Sequence, residues 1–133
     1  MKQKISIETS TELTDSAPVI SAGDYKNTFA TLSASLAEIR KLKGVIGYIL
    51  RNENSAIIDL AEQDKIIYYA ILSSQISESS LEMAKQFNLS NIESVLVEGK
   101  SAKVLCMSVG ENKIGVFMEK TATHGWIIQR ILL

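Results

Sequence analysis

The sequence is poor in the residues that build most metal and cofactor sites. It has 133 residues, with one cysteine, one histidine and one proline. A single cysteine, Cys106, can form neither an internal disulfide nor a metal site built from several cysteines. His124 has no second histidine to share a metal ion with it. We therefore expect no disulfide, no metal site and no cofactor.

An excess of positive charge and a long apolar run are also absent. Lys and Arg number 14 against 15 acidic residues, so the net charge is -1, whereas a nucleic-acid-binding surface needs clustered excess cations. No run approaches the ~18 apolar residues of a membrane span, and the first residues lack a signal peptide's apolar core. We expect a soluble, cytoplasmic protein with no nucleic-acid partner and no membrane insertion.

What the sequence does contain is one domain of ordinary size behind a polar extension. Residues 1–23 are rich in Ser and Thr, include Pro18 and have few large apolar side chains. Such a segment buries too little apolar surface to offset the entropy lost on ordering, so we expect residues 1–23 to be loosely ordered. An added edge strand is the alternative, because residues 4–8 alternate like a strand. The domain is expected over residues 24–133.

Hydrophobic periodicity in the domain predicts the element order α-β-β-α-β-β-β-α. The first helix begins at a cap formed by Asp24 or Thr28 and ends before Gly44, and a hairpin follows. The second helix begins at Asp64 and ends near Phe87. A short final helix closes the chain after three further strands, at residues 92–98, 102–109 and 113–118.

Two inner strands are apolar on both faces, which predicts a sheet covered on both sides. In the first of them, strict alternation places Val45 with Ile49 on one face and Ile46 with Tyr48 and Leu50 on the other. The fold class is therefore α+β. We expect an α/β/α sandwich whose five-stranded antiparallel sheet has one long helix on one face and two helices on the other. The stripe expected to pack the long helix on the sheet is Tyr69, Leu72, Ile76, Met83 and Phe87.

Residues 26–133 resemble the Roadblock family, which includes a dynein light chain and prokaryotic regulators of small GTPases. The family enters its first strand through a Gly-Val-x-Gly sequence, here Gly44-Val45-Ile46-Gly47. It then turns through an acidic residue and a glycine, for which this chain has Glu53 and Asn54. Asn adopts the left-handed conformation more readily than most residues, so we expect Asn54 to replace the glycine in that role.

The resemblance implies a profilin-like Roadblock fold and a non-catalytic, dimeric interaction module. Its partner would be a small Ras-like GTPase, which it regulates, or a scaffold protein. A small-molecule sensor of profilin-like form is one alternative, and a structural subunit of a larger complex is another. A sensor would need a concave, partly empty apolar pocket.

Catalytic chemistry has little support in the residues. Gly99-Lys100-Ser101 lacks the glycine that a phosphate-binding loop carries five positions earlier, so a hairpin turn is expected there. Cys106 lies in an apolar strand, where burial raises a thiol's pKa and lowers its reactivity. Asp59, Glu62 and Asp64 are best explained by a strand end and a helix start. We predict no catalytic residue and no enzyme activity of the chain itself.

Two surfaces are candidates for association. The first turns of the long helix are apolar on every side, so one face should meet another chain, through Ile67, Tyr68, Ile71 and the small Ser74. The serines at 73, 74, 77 and 80 would let a neighbouring helix approach closely. The second surface is the strand at 92–98, an expected sheet edge whose residues Ser94, Val95, Leu96 and Val97 would pair with a second copy in a homodimer. Proline at Val95 is expected to block that pairing and leave the monomer folded.

Arg51 is the candidate contact to a GTPase. We expect it in the first hairpin loop, where it would be the most exposed of the arginines able to enter a partner's active site. The resemblance favours another mechanism, in which the regulator repositions the GTPase's own groups and needs no arginine.

Overall fold

The structure is a computed structural model that describes residues 2–6, 28–90 and 92–132. A 3₁₀ turn at Gln63–Lys65 precedes its longest helix. Within these ranges no helix combines the length and apolar character needed to cross a membrane. The helices and strands are β1 (Lys2–Ser6), α1 (Phe29–Ile39), β2 (Val45–Arg51), β3 (Ser55–Leu60), α2 (Ile66–Phe87), β4 (Ser94–Glu98), β5 (Ala102–Val109), β6 (Asn112–Glu119) and α3 (His124–Leu132).

The strands form one antiparallel sheet in the order β1-β3-β2-β6-β5-β4. The predicted five-stranded sheet is confirmed as β2 to β6. The strand β1 adds a sixth member beside β3, with Lys2 opposite Asp59 and Ser6 opposite Ser55. The rest of the predicted extension, together with the candidate cap Asp24, lies outside the described residues.

Helices cover both faces of the sheet, as predicted. On one face α1 and α3 pack over a core that includes Leu36, Leu105 and Ile127. On the other face α2 packs over a smaller core that includes Ile49, Cys106 and Phe117. We call these the closed face and the open face, for reasons of exposure given below.

A β-bulge in β2 changes which residues share a face. The register between β2 and β6 shifts between Val45 and Gly47, and an extra residue there turns the strand over. As a result Val45 packs with Tyr48 in the closed-face core, whereas Ile46 packs with Ile49 on the open face. The predicted alternation was wrong at this end of the strand. A methyl group on Gly47 would overlap the carbonyl oxygen of Asp59, so the absent side chain is what lets β3 pass this close.

The first helix begins and ends much as the sequence predicts. Thr28 is the N-cap, and its hydroxyl accepts a hydrogen bond from the Thr31 amide at 3.2 Å. After the helix, Arg40 bridges to the sheet, because its guanidinium lies 3.3 Å from the Asp59 carboxylate and donates to the Val45 carbonyl at 3.1 Å. Gly44 then turns the chain with a φ of +89°.

The turn between β2 and β3 is closed by a different asparagine from the one expected. Asn54 is not among the described residues with positive φ, so the left-handed role predicted for it was wrong. The Asn52 side chain instead accepts from the amides of Asn54 and Ser55, at 2.8 and 2.9 Å. An asparagine that bonds to the backbone two and three residues ahead builds the turn without a left-handed residue.

The long helix α2 differs from its prediction at the start. Asp64 lies inside the 3₁₀ turn, and the residue at the N-cap is Lys65, which makes no capping bond through its side chain. Lys65 pairs instead with Glu62, its ammonium 3.2 Å from the carboxylate. The helix ends at Phe87 as predicted, and Asn88 closes it in the left-handed conformation with a φ of 54°.

An apolar groove beside the sheet edge

Small residues attach α2 to the sheet. The buried positions of the helix are Ser73, Ser80 and Ala84, and Ser73 lies over a residue without a side chain, Gly115. A Cβ built on Gly115 would be 3.2 Å from the Ser73 Cβ, so both must be small for the helix to lie this close. The serines therefore serve contact with the chain's own sheet, and the prediction that they receive a neighbouring helix was wrong for Ser73 and Ser80.

The apolar stripe predicted to face the sheet is divided: Tyr69 and Ile76 pack partly buried against the open-face core, as predicted, whereas Leu72, Met83 and Phe87 are exposed. Leu72, Ile76 and Met83 line a groove of about 320 Å³, whose opposite wall is Val95 and Val97 of β4. Met83 is 49% exposed and Phe87 is 69% exposed, so this part of the stripe is open to solvent in the single chain. The reason is geometric, because 3.6 residues per turn separate this stripe from the small-residue stripe by roughly a quarter of the helix circumference.

The strand β4 is an edge of the sheet, as predicted, with β5 as its one partner among the described strands. Its hydrogen bonds show which amides are free. The Gly99 amide donates to Ala102 at 2.8 Å, and the Ser108 amide donates to Glu93 at 3.3 Å. Alternation of bonded and non-bonded pairs between these two points aims the amides of Val95 and Val97 at β5. The amides of Ser94 and Leu96 then point to the free edge.

That alternation corrects one expectation. Proline at Val95 would remove a donor inside the β4–β5 ladder. That variant would therefore destabilise the monomer itself and not only the pairing of two copies. Leu96 is the central residue whose amide faces outward. A proline there leaves the β4–β5 hydrogen bonds in place and removes a donor from the free edge, together with the packing of the Leu96 side chain on the closed-face core.

The other flank of α2 is a separate surface. Ile67 is 74% exposed and Tyr68 is 78% exposed, while Ile71 is 52% exposed. Helical geometry places Ile67 and Ile71 on the flank away from the groove. Ser74 follows on the same flank but is half-buried, and its hydroxyl accepts a hydrogen bond from the Arg51 guanidinium at 3.4 Å.

Arg51 is not in a loop. It is the last residue of β2, is half-buried, and reaches under α2 toward Ser74. The prediction that it is exposed in the first hairpin loop was wrong, because β2 is one residue longer than the sequence suggested. Lys113, opposite Arg51 on β6, was not recognised in the sequence as part of any site.

Two solved structures match this architecture. The gliding protein MglB from Thermus thermophilus matches with a TM-score of 0.62 and 14% sequence identity, over 89% of this chain and 89% of its own. A Roadblock/LC7 domain from Streptomyces avermitilis matches with a TM-score of 0.61 and 13% identity, over 74% of this chain and 83% of its own. No family model and no curated protein matches the sequence. The chain has the Roadblock fold.

In this Roadblock fold the residues with reactive side chains are held in structural roles. Cys106 is buried, and burial raises the pKa of its thiol to about 11, opposed by the positive charge of Arg51. His124 accepts a hydrogen bond from the buried Lys103, whose Nζ lies 3.1 Å from its Nδ1. An ammonium can only donate, so the pair assigns the acceptor role to Nδ1. Among the described residues no group of three His, Cys, Asp or Glu is placed to hold a metal ion.

The enclosed space of the open face is small. The two voids beneath α2 hold about 20 and 10 Å³, each enough for about one water molecule. The apolar groove is larger but open along its length. This shape suits the side chains of another protein better than it suits an enclosed small molecule.

Proposed function

We propose that this chain is a non-catalytic module that forms a homodimer and regulates or scaffolds a small Ras-like GTPase. The observation that carries the proposal is one continuous apolar surface, made by the groove of α2 and the free edge of β4. Monomeric proteins rarely leave both an apolar stripe and an unpaired strand edge open at the same place. The Roadblock fold and the family resemblance of the sequence support the choice of partner.

The dimer is proposed to form by antiparallel pairing of two β4 strands. Pairing across a two-fold axis satisfies the outward amides of Ser94 and Leu96 with groups of the second copy. It also brings two copies of the α2 flank toward the axis, so Leu72, Ile76 and Met83 can bury one another. The strand and the groove are therefore proposed to form a single interface.

The partner surface is proposed to be the opposite flank of α2. Ile67 and Ile71 lie away from β4, so a dimer formed through β4 leaves them accessible together with Tyr68. A regulator needs a surface that self-association does not consume. The flank with Ile67, Ile71 and Ser74 meets that requirement, and Tyr68, one helical turn before Leu72, lies on the exposed ridge between this flank and the groove.

Leu96→Pro tests the dimer. Sedimentation should show a dimer for the wild type at tens of micromolar and a folded monomer for the variant, because the edge loses a donor and gains a ring that blocks pairing. Leu96→Val keeps the amide and most of the packing, so it should remain dimeric. A monomeric wild type at that concentration would refute the dimer.

Ile67→Glu tests the partner surface, because Ile67 is exposed on the flank away from the groove. The charge should abolish retention of a small GTPase from native lysate, identified by mass spectrometry, and leave the dimer intact. Gln86→Glu adds the same charge to an exposed position near the other end of α2 and should retain the partner. Equal retention by both variants would contradict the assignment of this flank.

Hydrolysis of GTP by the captured GTPase distinguishes two mechanisms, an arginine inserted by the module and repositioning of the GTPase's own groups. If Arg51 enters the active site, Arg51→Ala should lower single-turnover GTP hydrolysis by ~10³–10⁵. We propose instead that the module repositions the GTPase's own groups, since Arg51 is half-buried and bonded to Ser74. A loss of several orders of magnitude in Arg51→Ala would overturn that choice.

A further inference from the structure

Three neighbouring strands place polar side chains in one row beneath α2. Arg51 of β2 lies opposite Lys113 of β6, and Lys113 lies opposite Ser108 of β5. Directly opposed residues on an antiparallel pair have side chains on the same face and Cβ atoms only ~5 Å apart. Two cations are therefore held side by side on the open face.

The two cations are in direct contact with no carboxylate in the part of the chain that is described. Neither takes part in an ion pair within 4.0 Å, whereas Arg40, Lys41 and Lys65 do. The Arg51 guanidinium donates one bond, to Ser74, and the Lys113 ammonium makes no side-chain hydrogen bond within the described ranges. Like charges placed directly opposite on a sheet are destabilising, so this arrangement gains most from an anion.

Hydroxyl groups and two small voids surround the pair. Ser77 of α2 and Lys113 line both voids, of about 20 and 10 Å³, and Ser108 lines the larger one. Voids of this size hold about one water molecule, or one oxygen of a larger group, each. Glu93 also lines the larger void, but its carboxylate is not within ion-pair distance of Lys113.

The positive charge of Arg51 influences a buried residue in the core of the open face. Arg51 lowers the pKa of the buried Cys106 thiol, against the larger effect of burial. Arg51 is on β2 and Cys106 is on β5, with β6 between them, so the charge acts across the sheet interior, where charges are screened less than in water. The same field would act on an anion at the mouth of the voids.

We propose that Arg51 and Lys113 form a binding site for a small oxyanion, a phosphate or a carboxylate. The guanidinium and the ammonium supply the charge, and the hydroxyls of Ser77 and Ser108 donate to its oxygens. One or two oxygens occupy the positions of the voids, and the rest of the anion stays at the solvent-facing mouth. The site requires neither the dimer nor a GTPase.

Thermal unfolding at constant ionic strength tests the site. Inorganic phosphate, exchanged for chloride, should raise the Tm of the wild type along a saturable curve, because an anion that binds the folded state alone stabilises it. Acetate forms the second arm. Saturation by phosphate, by acetate or by both identifies a phosphate, a carboxylate or a general oxyanion site, and saturation by neither overturns the proposal.

Variants separate the site from a general salt effect. Lys113→Gln and Arg51→Gln should each weaken the apparent affinity at least tenfold, and Lys113→Gln should raise the Tm in chloride because it removes the repulsion. Lys100→Gln changes an exposed turn lysine and should match the wild type. An equal anion response in Lys113→Gln and Lys100→Gln would overturn the site. The series is repeated in Leu96→Pro, where persistence of the response separates this site from the proposed dimer.

Discussion

The two faces of the sheet are built from the same strands but closed in different ways. On the closed face, α1 and α3 contribute large side chains, and Leu32, Leu36 and Ile39 are at most 1% exposed. On the open face, α2 buries only the small residues Ser73, Ser80 and Ala84 fully, packs Tyr69 and Ile76 partly against the core, and leaves Leu72, Met83 and other large side chains exposed. The apolar surface of the closed face is buried within the chain, whereas much of the apolar surface of α2 on the open face stays exposed.

This difference indicates a division of labour between the helices. Large buried side chains stabilise the single chain, at ~1.5–3 kcal/mol for each that leaves water. Serine and alanine contribute less, but they let a helix lie close to the sheet while its flanks stay free. The closed face is thus the main source of stability, and the open face is where association can occur.

The largest expected difference in stability is between two truncations, one on each face of the sheet. Leu36→Ala removes a fully buried side chain and should lower the free energy of unfolding by about 2–5 kcal/mol. Met83→Ala should change it by no more than about 0.5 kcal/mol in the monomeric Leu96→Pro background, because half of Met83 is exposed. Chemical denaturation measures both. Similar losses in the two variants would show that the faces are not divided in this way.

A pH titration examines the core of the open face through Cys106. Its pKa rises from 9.0 to about 11 on burial, so the folded state holds the proton that the unfolded state loses first. Stability from this group is complete below pH 9 and is lost as pH rises from 9 to 11, by about 2–3 kcal/mol. Cys106→Ala should show a shallower decline over that range.

The titration of Tyr48 does not affect the comparison between the wild type and Cys106→Ala. Burial, with the charge of Asp59 adding to it, also raises the pKa of Tyr48, so its contribution has the same sign. Tyr48 is present in both proteins and cancels from the difference between them. Identical slopes above pH 9 in wild type and Cys106→Ala would contradict the buried state of the thiol.

The sequence predicts the elements better than it predicts their faces. Periodicity identifies α1, α2 and the strands because each has a long apolar pattern, and Thr28 marks a helix start through a local bond. The bulge at Gly47 could not be foreseen, because it depends on the passage of β3 beside it. The flank position of Leu72 and Met83 was hidden for a similar reason, since hydrophobicity alone favours a large side chain over a serine for the buried stripe.

For the association surfaces too, the sequence predicts some features and not others. The edge position of β4 follows from short turns and a doubly apolar β5, so the sequence suffices for it. Which amides of β4 point outward depends on the hydrogen-bond pattern, which no residue type indicates. The location of Arg51 depends on where β2 ends, and a boundary error of one residue is enough to turn a strand residue into a loop residue.

The smallest expected effect is on the closed face, at the hydroxyl of Tyr48. The side chain is fully buried, and its oxygen has no hydrogen-bond partner among the residues that the structure describes. Tyr48→Phe therefore loses no bond and removes a buried polar group that lacks compensation, so stability should stay unchanged or rise by up to about 1 kcal/mol. Phe117→Tyr makes the reverse change on the open face, where Phe117 is buried against Tyr69 with ring centroids 4.5 Å apart. That variant should lose about 1–3 kcal/mol, because it introduces a hydroxyl into an apolar contact. A loss of more than about 1 kcal/mol in Tyr48→Phe would mean that its hydroxyl is bonded in solution, and the closed face would then contain a polar contact that its packing does not explain.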